Sequence, residues 1–315
     1  MKIFCHIPRE NWIVDRMGLE YKSNSMFDVS FDSIENDTDL IWLLGSWCWK
    51  QIPMTILESK KVVCTIHHEV PWKFDEKRKQ NFLERDKIVN NYLTYNEDTK
   101  ILIESLSKKP VKIIPHWINS KIWKKIDSLD AKKKLKLPED KFLIGSFQRD
   151  TEGFDLKTPK LEKGPDIFVK KVLEISKLKD VHVVLAGWRR QYVINELKKN
   201  SIEYSYFELP NNDTINILYN SLDLYIVSSR CEGGPQAIFE CAYLKKPIIS
   251  TPTGQYKFLA KECIYEHNEE IKERKLKFSV NAIDKNHSNV SHLQDYNHIK
   301  NYDKFFESLC HEKED

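Results

Sequence analysis

Ser228–Ser250 reads SSRCEGGPQAIFECAYLKKPIIS. Two of the chain's nine glycines stand together there, between an acid and a proline. A second acid, Glu240, follows Glu232 after seven intervening residues. The run DLYIVSS (223–229) is a short apolar stretch of strand type, and PQAIFECAYL (235–244) has helical spacing. Pro235 suits the first helical position, where its missing N–H would be unpaired anyway. The expected unit is therefore strand, glycine turn, helix. The Gly233 and Gly234 backbone would then expose N–H groups at the positive end of a helix dipole, an anion site. It would also lie at the carboxyl end of a strand, where open parallel sheets bind ligands. A plain turn, with acids drawn to the dipole, explains these residues equally well.

The same alternation extends in both directions. KIFCHI (2–7), DLIWLLG (39–45), KVVCTIH (61–67) and VKIIPH (111–116) read as strands. So do FLIGSF (142–147), VHVVLAG (181–187), IEYSYFEL (202–209) and KPIIST (246–251). Helical spacing falls between them at 74–86, 96–106, 165–178, 190–200 and 212–221. Continuous apolar strands separated by helices predict α/β architecture with parallel sheets covered on both faces. The pattern breaks once, between Asn119 and Asp140. Expected are a first βαβ domain at 1–120, a linker at 121–139, a second domain at 140–295 and a terminal helix at 296–315. A ligand is expected in the cleft between the domains.

Composition narrows the class. The net charge is +3, with lysines and acids interleaved, which argues against a nucleic-acid partner. The exception is Lys121–Lys136, read either as a solvated linker helix or as a peripheral contact with an anionic membrane. No segment approaches the ~20 apolar residues of a membrane span, and MKIFCHIPREN lacks a signal core. Seven scattered cysteines read as core residues in a reducing compartment. The expected location is cytoplasmic, or peripheral to the inner membrane face.

Upstream of the opening segment, FLIGSF ends in Gly145-Ser146 and is followed by Arg149; PKLEKGPDIF then places Lys163 before Gly164 at a helix start. Two cations at one sheet edge can neutralise a diphosphate, the arginine as a bidentate fork. Glu240 can accept two hydrogen bonds from a cis-diol such as a ribose.

Taken together these features resemble the donor half of a GT-B glycosyltransferase of the retaining family 4 type. Glu232 and Glu240 match its E-x7-E signature. Arg149 and Lys163-Gly164 match its Arg and Lys-Gly. AYLKKPIISTPTGQ resembles its A…G.PVI.T..GG, with lysine for one glycine and Gln255 for another. VKIIPHWINSKIW resembles IPNGVD…F, with His116-Trp117 replacing Asn-Gly. The resemblance covers most of residues 110–260. It implies two Rossmann-like βαβ domains facing across a cleft, with the terminal helix crossing back to the first. It also implies a nucleoside-diphosphate-sugar donor, a saccharide or lipid-linked acceptor, and no metal or other cofactor. Arg149 and Lys163 would grip the diphosphate and Glu240 the ribose, while Glu232 and Gly233–Gly234 face the sugar. Leu209 and Pro210 would hold the base, and Gly145, Ser146, Gly187 and Pro235 would complete the donor site. The 150–162 insertion is longer than the family's; Gly164 favours Lys163 over Lys157 and Lys160.

The first domain departs from that pattern. CHIPRENW stands where a glycine-rich loop is usual, so His6, Arg9, Glu10 and Asn11 either line the cleft or form a plain loop. TIHHEVPW offers His67 or His68 to the transferred sugar; adjacent strand residues point opposite ways, so one of the two is expected there. Either can instead be a core histidine. Trp42, Trp47 and Trp49 can stack on a sugar or belong to the core. The Asp37-Thr38-Asp39 sequence precedes its strand and is not read as a metal site. Two other activities fit the same residues: a catalytically silent nucleotide-sugar-binding subunit and a GT-B-like sugar-nucleotide epimerase.

Overall fold

In the computed structural model, which describes residues 1–10 and 13–311, the apolar runs form two parallel sheets. Each sheet belongs to its own compact unit. The first sheet contains β1 (Lys2–His6), β2 (Asp28–Ser30), β3 (Leu40–Leu43), β4 (Lys61–Thr65), β5 (Asn91–Thr94) and β6 (Val111–Ile113). Their order is β2-β1-β3-β4-β5-β6, every pair parallel. Helices α1 (Ile13–Asn24), α2 (Met54–Glu58), α3 (Glu76–Asp86) and α4 (Glu97–Leu106) connect the strands. The starts of α3 and α4 follow from side-chain caps. Asp75 accepts from the Arg78 N–H and Asn96 from the Thr99 N–H, each satisfying a backbone donor that the helix cannot.

The second unit runs from Ile118 to His292. It opens with α5 (Ser128–Leu135) and β7 (Phe142–Ser146), and a small antiparallel hairpin follows, β8 (Thr151–Glu152) with β9 (Thr158–Pro159). Then come α6 (Pro165–Ser176), β10 (Val181–Ala186), α7 (Gln191–Lys199), β11 (Tyr204–Phe207) and α8 (Asn212–Ser221). β12 (Leu224–Val227), α9 (Gln236–Tyr243), β13 (Ile248–Ser250) and α10 (Val280–Val290) complete it. The sheet order is β11-β10-β7-β12-β13, all parallel. The order reverses between β7 and β12, which makes their carboxyl ends the topological switch point.

The chain then returns to the first unit in α11 (Asp295–His311). Ile299, Tyr302, Phe306 and Leu309 enter the first core. The Tyr302 hydroxyl donates to the Pro115 carbonyl (3.0 Å), and that of Tyr21 to Asp303 (2.8 Å). Glu312–Asp315, the end of the expected terminal segment, lie outside the described residues.

The expected linker at 121–139 is instead built into the second unit. Trp123, Ala131 and Leu137 are buried, and Lys132 is buried in an ion pair with Asp223 (3.1 Å). Asn216 and Asn220 of α8 accept the backbone N–H groups of Lys124 (3.1 Å) and Ile126 (2.9 Å). The lysine run hides a sparse apolar face, which is why composition alone suggests a linker. Among the described residues no helix is long and apolar enough to cross a membrane.

Candidate functional site at the carboxyl edges of the two sheets

At the switch point of the second sheet, backbone geometry brings two distant segments together. Gly164 has φ +59, and a methyl group there would overlap the Ser228 carbonyl oxygen. Only glycine lets the start of α6 press against the end of β12. The Glu162 carbonyl accepts from the N–H groups of Arg230 (2.8 Å) and Cys231 (3.2 Å). Ser228 and Gln148 side chains donate to the Lys163 carbonyl (3.1 and 2.8 Å). Gly254, φ +59, closes the other side: a Cβ there would lie 2.7 Å from Pro235 Cδ and 3.3 Å from the carbonyl oxygens of Glu232 and Gly233. Held in this way, the Lys163 ammonium forms an ion pair with Glu232, and the Ser229 hydroxyl donates to the same carboxylate (3.2 Å). Lys157 lies exposed near the hairpin, and Lys160 faces Glu162 at 3.6 Å. Of the three lysines, Lys163 reaches the acid.

Glu240 is buried on α9 and accepts the Tyr219 hydroxyl at 2.6 Å. Burial and this carboxylate push the Tyr219 phenol well up, so it remains a donor. Tyr219 packs against Phe147 (4.9 Å between rings) and Tyr225 (5.4 Å). One oxygen of the acid predicted to meet a ribose is therefore held by an aromatic wall. Pro235 immediately precedes the first helical residue, Gln236.

The remaining predicted donor residues take different positions. Arg149 Nε donates to the Thr151 carbonyl (3.0 Å). Gly187 follows β10 with φ +95, its carbonyl accepting from the Tyr206 hydroxyl (3.0 Å). Leu209, φ +46, is 71% exposed just beyond β11. Gly145 and Ser146 are engaged by the protein itself. A methyl at Gly145 would collide with Leu222, and Ser146 accepts from the Arg190 guanidinium at both its hydroxyl oxygen (3.1 Å) and its carbonyl oxygen. Arg190 is fully buried and pairs with buried Asp150 at 2.6 Å, tying β7 to β10. Sequence reading missed this pair, because Arg189-Arg190 before a helix looks like any solvated basic pair.

The first sheet's carboxyl edge is chemically different. β4 ends at Thr65, so His67 and His68 lie in the loop beyond it, and strand alternation does not choose between them. His67 Nε2 donates to the Leu44 carbonyl at 2.9 Å. Burial pushes its imidazole down to about 4, so it is neutral at pH 7. Its ring lies 5.3 Å from Tyr95, which stacks on His116 at 3.7 Å. Burial first, then His67, Arg16 and His298, hold His116 well below the usual histidine range. His6, at the end of β1, is lowered by burial and by Arg9. The Nδ1 atoms of His6 and His116 are buried without a partner.

Of the three tryptophans, Trp42 is fully buried between Tyr21 and Phe306, its indole N–H on Thr65 (2.8 Å). Trp49 is buried with its N–H on Asn81 (3.3 Å). Both belong to the core. Trp47 is 44% exposed, 5.8 Å from His67, with its N–H on Glu10 (3.3 Å). Arg9 instead reaches Phe31 and Asp32 (2.9 and 3.0 Å), and Asn11 lies outside the described residues. Asp37 and Asp39 precede β3 and engage Lys2 (2.6 and 2.7 Å).

Residues 156–272 match the family model described as Glycosyl transferases group 1, a stretch that contains Lys163, Glu232 and Glu240. No curated protein matches the sequence. Solved structures match across the whole fold. Anabaena HepE in complex with UDP and glucose aligns with a TM-score of 0.75 at 11% identity, over 98% of this chain and 99% of that one. Sucrose-phosphate synthase from Thermosynechococcus elongatus gives 0.70 at 14%, over 96% and 80%. A glycosyltransferase from Rickettsia africae ESF-5 gives 0.70 at 13%, over 99% of each. The two-domain α/β fold is GT-B, the fold that the resemblance implied.

Proposed function

We propose that the chain is a glycosyltransferase moving a sugar from a nucleoside-diphosphate-sugar to an acceptor hydroxyl. The observation that carries this is the Lys163–Glu232 pair. Two motif halves far apart in sequence meet across the switch point of a parallel sheet, beside a glycine turn at a helix start. Arg149 and Lys163 would then counter the diphosphate charge that develops as the glycosidic bond breaks, and Glu240 would take a ribose hydroxyl. In a retaining transfer the bond from C1 to the phosphate oxygen breaks, a bond from C1 to the acceptor oxygen forms on the same face, and the acceptor proton passes to the departing phosphate. Two cationic side chains then serve in place of a metal ion. HepE has been solved with UDP-glucose, which makes a uridine donor the first to try. A saccharide or lipid-linked acceptor fits the neutral, aromatic first edge. The exposed lysines at 121, 124, 125, 133, 134 and 136 would favour an anionic membrane nearby.

The test is a melting series with UDP, GDP, ADP and CMP, on wild type and Glu240→Gln, followed by transfer from the matching labelled sugar. A ligand at 100 times its Kd stabilises by about 2.7 kcal/mol. One nucleoside diphosphate should raise the melting temperature of the wild type and do so far less in the variant. If none acts on the wild type, the donor reading fails. Binding without transfer would identify a silent subunit, and donor isomerisation without acceptor an epimerase.

A further inference from the structure

The loops that leave β7 and β10 carry a second cationic group, half of which the donor reading leaves unused. The Arg149 guanidinium lies 5.2 Å from the Trp188 ring centre and that of Arg189 lies 4.5 Å from it. Trp188 is 48% exposed. Both arginines bond only to backbone: Arg149 Nε to the Thr151 carbonyl, and Arg189 Nη1 to the Gly153 carbonyl (each 3.0 Å). Among the described residues neither has a carboxylate partner, and Arg189 Nε is buried with no partner at all. Burial and the neighbouring Arg189 charge lower Arg149 from the usual arginine range, with Glu152 and Glu162 opposing this only weakly.

The arrangement is fixed by the backbone. Arg189 has φ +55, and its carbonyl accepts from the N–H groups of Asp150 (3.2 Å) and Thr151 (3.1 Å). The buried Asp150–Arg190 pair anchors the same two loops. Stacking on an indole accounts for one guanidinium, but not for two like charges held around it with donors left over. Unpaired buried donors and mutual repulsion are both relieved by an anion.

We propose that Arg149 and Arg189, flanking Trp188, form a binding site for an oxyanion, phosphate or carboxylate. The site rests on the donor reading only for the source of that anion: the donor's diphosphate, or an acidic group on a saccharide. Calorimetric titration of the full chain with inorganic pyrophosphate, UDP, uridine and glucuronate tests it. Wild type, Arg189→Gln, Arg149→Gln and Arg189→Lys are compared, each first shown to melt cooperatively. Both glutamine variants should bind an anionic probe at least tenfold more weakly, the lysine variant should recover part of the loss, and any uridine binding should be unchanged. Loss on pyrophosphate and UDP identifies the diphosphate as the source; loss confined to glucuronate identifies an acidic saccharide. Wild-type affinity for every anion in the folded glutamine variants, or no anion bound by the wild type, would overturn the site. Failure of the donor reading looks different: no nucleoside diphosphate binds, while pyrophosphate or glucuronate binds the wild type and is lost from Arg189→Gln.

Discussion

The two sheets present carboxyl edges of the same construction and opposite chemistry. The first edge carries His6, His67 and His116, all held neutral by burial, with Tyr95 and Trp47 beside them. The second carries Arg149, Arg189 and Lys163, and the last is already balanced by Glu232. Topology made both edges available; side chains decided that one is neutral and aromatic and the other cationic. The second edge is also the more tightly specified, since glycines fit its backbone to within a methyl group. Among the described residues both edges leave buried nitrogens unpaired, Nδ1 of His6 and His116 in the first and Nε of Arg189 in the second.

This contrast can be broken by substitution. The largest expected effect is at Gly164. Alanine there meets both a left-handed backbone and the Ser228 carbonyl, for a loss of about 4 kcal/mol in denaturant unfolding. A loss below about 1 kcal/mol would show that α6 and β12 are not fitted as described. Next, Asp150→Ala leaves Arg190 buried and unpaired, a loss of about 3 kcal/mol. Asp150→Asn should recover part of it by keeping one hydrogen-bond acceptor.

Acid separates the edges next. His67 titrates near 4 when folded against about 6.5 when unfolded. Between those values the unfolded chain binds more protons, so stability is retained above pH 6.5 and lost as pH falls toward 4. The slope is at most about 1.4 kcal/mol per pH unit for each such histidine. Melting temperatures from pH 7 to 4.5 should fall in the wild type and fall less in His116→Phe. A parallel pair of curves would mean that His116 is not held neutral by the fold. The smallest effect concerns the lysines of α5. Lys133→Glu with Lys134→Glu should weaken sedimentation with phosphatidylserine vesicles by about 1 kcal/mol per lysine. Equal sedimentation would leave these lysines as a solvated face.

Sequence periodicity was enough for most strands and for α6 to α9, because those segments carry long apolar runs or clear helical spacing. It did not show β2, three residues without such a run, nor that α5 is part of a packed unit. Lys163, Glu232 and Glu240 were legible because a glycine or a fixed spacing marks each one. Asp150–Arg190 and Arg149–Trp188–Arg189 carried no such mark. Their partners lie on neighbouring strands and come together only through sheet register.

The sequence by itself determined the α/β class, the parallel sheets and the residues of the glycine turn, because periodicity and local backbone requirements act over a few residues. Only the tertiary structure decided that Lys163 finds Glu232, that Trp42 belongs to the core while Trp47 stays at the edge, and that two arginines share Trp188. Those outcomes depend on which strand ends become neighbours, and strand order is a property of the whole folded unit.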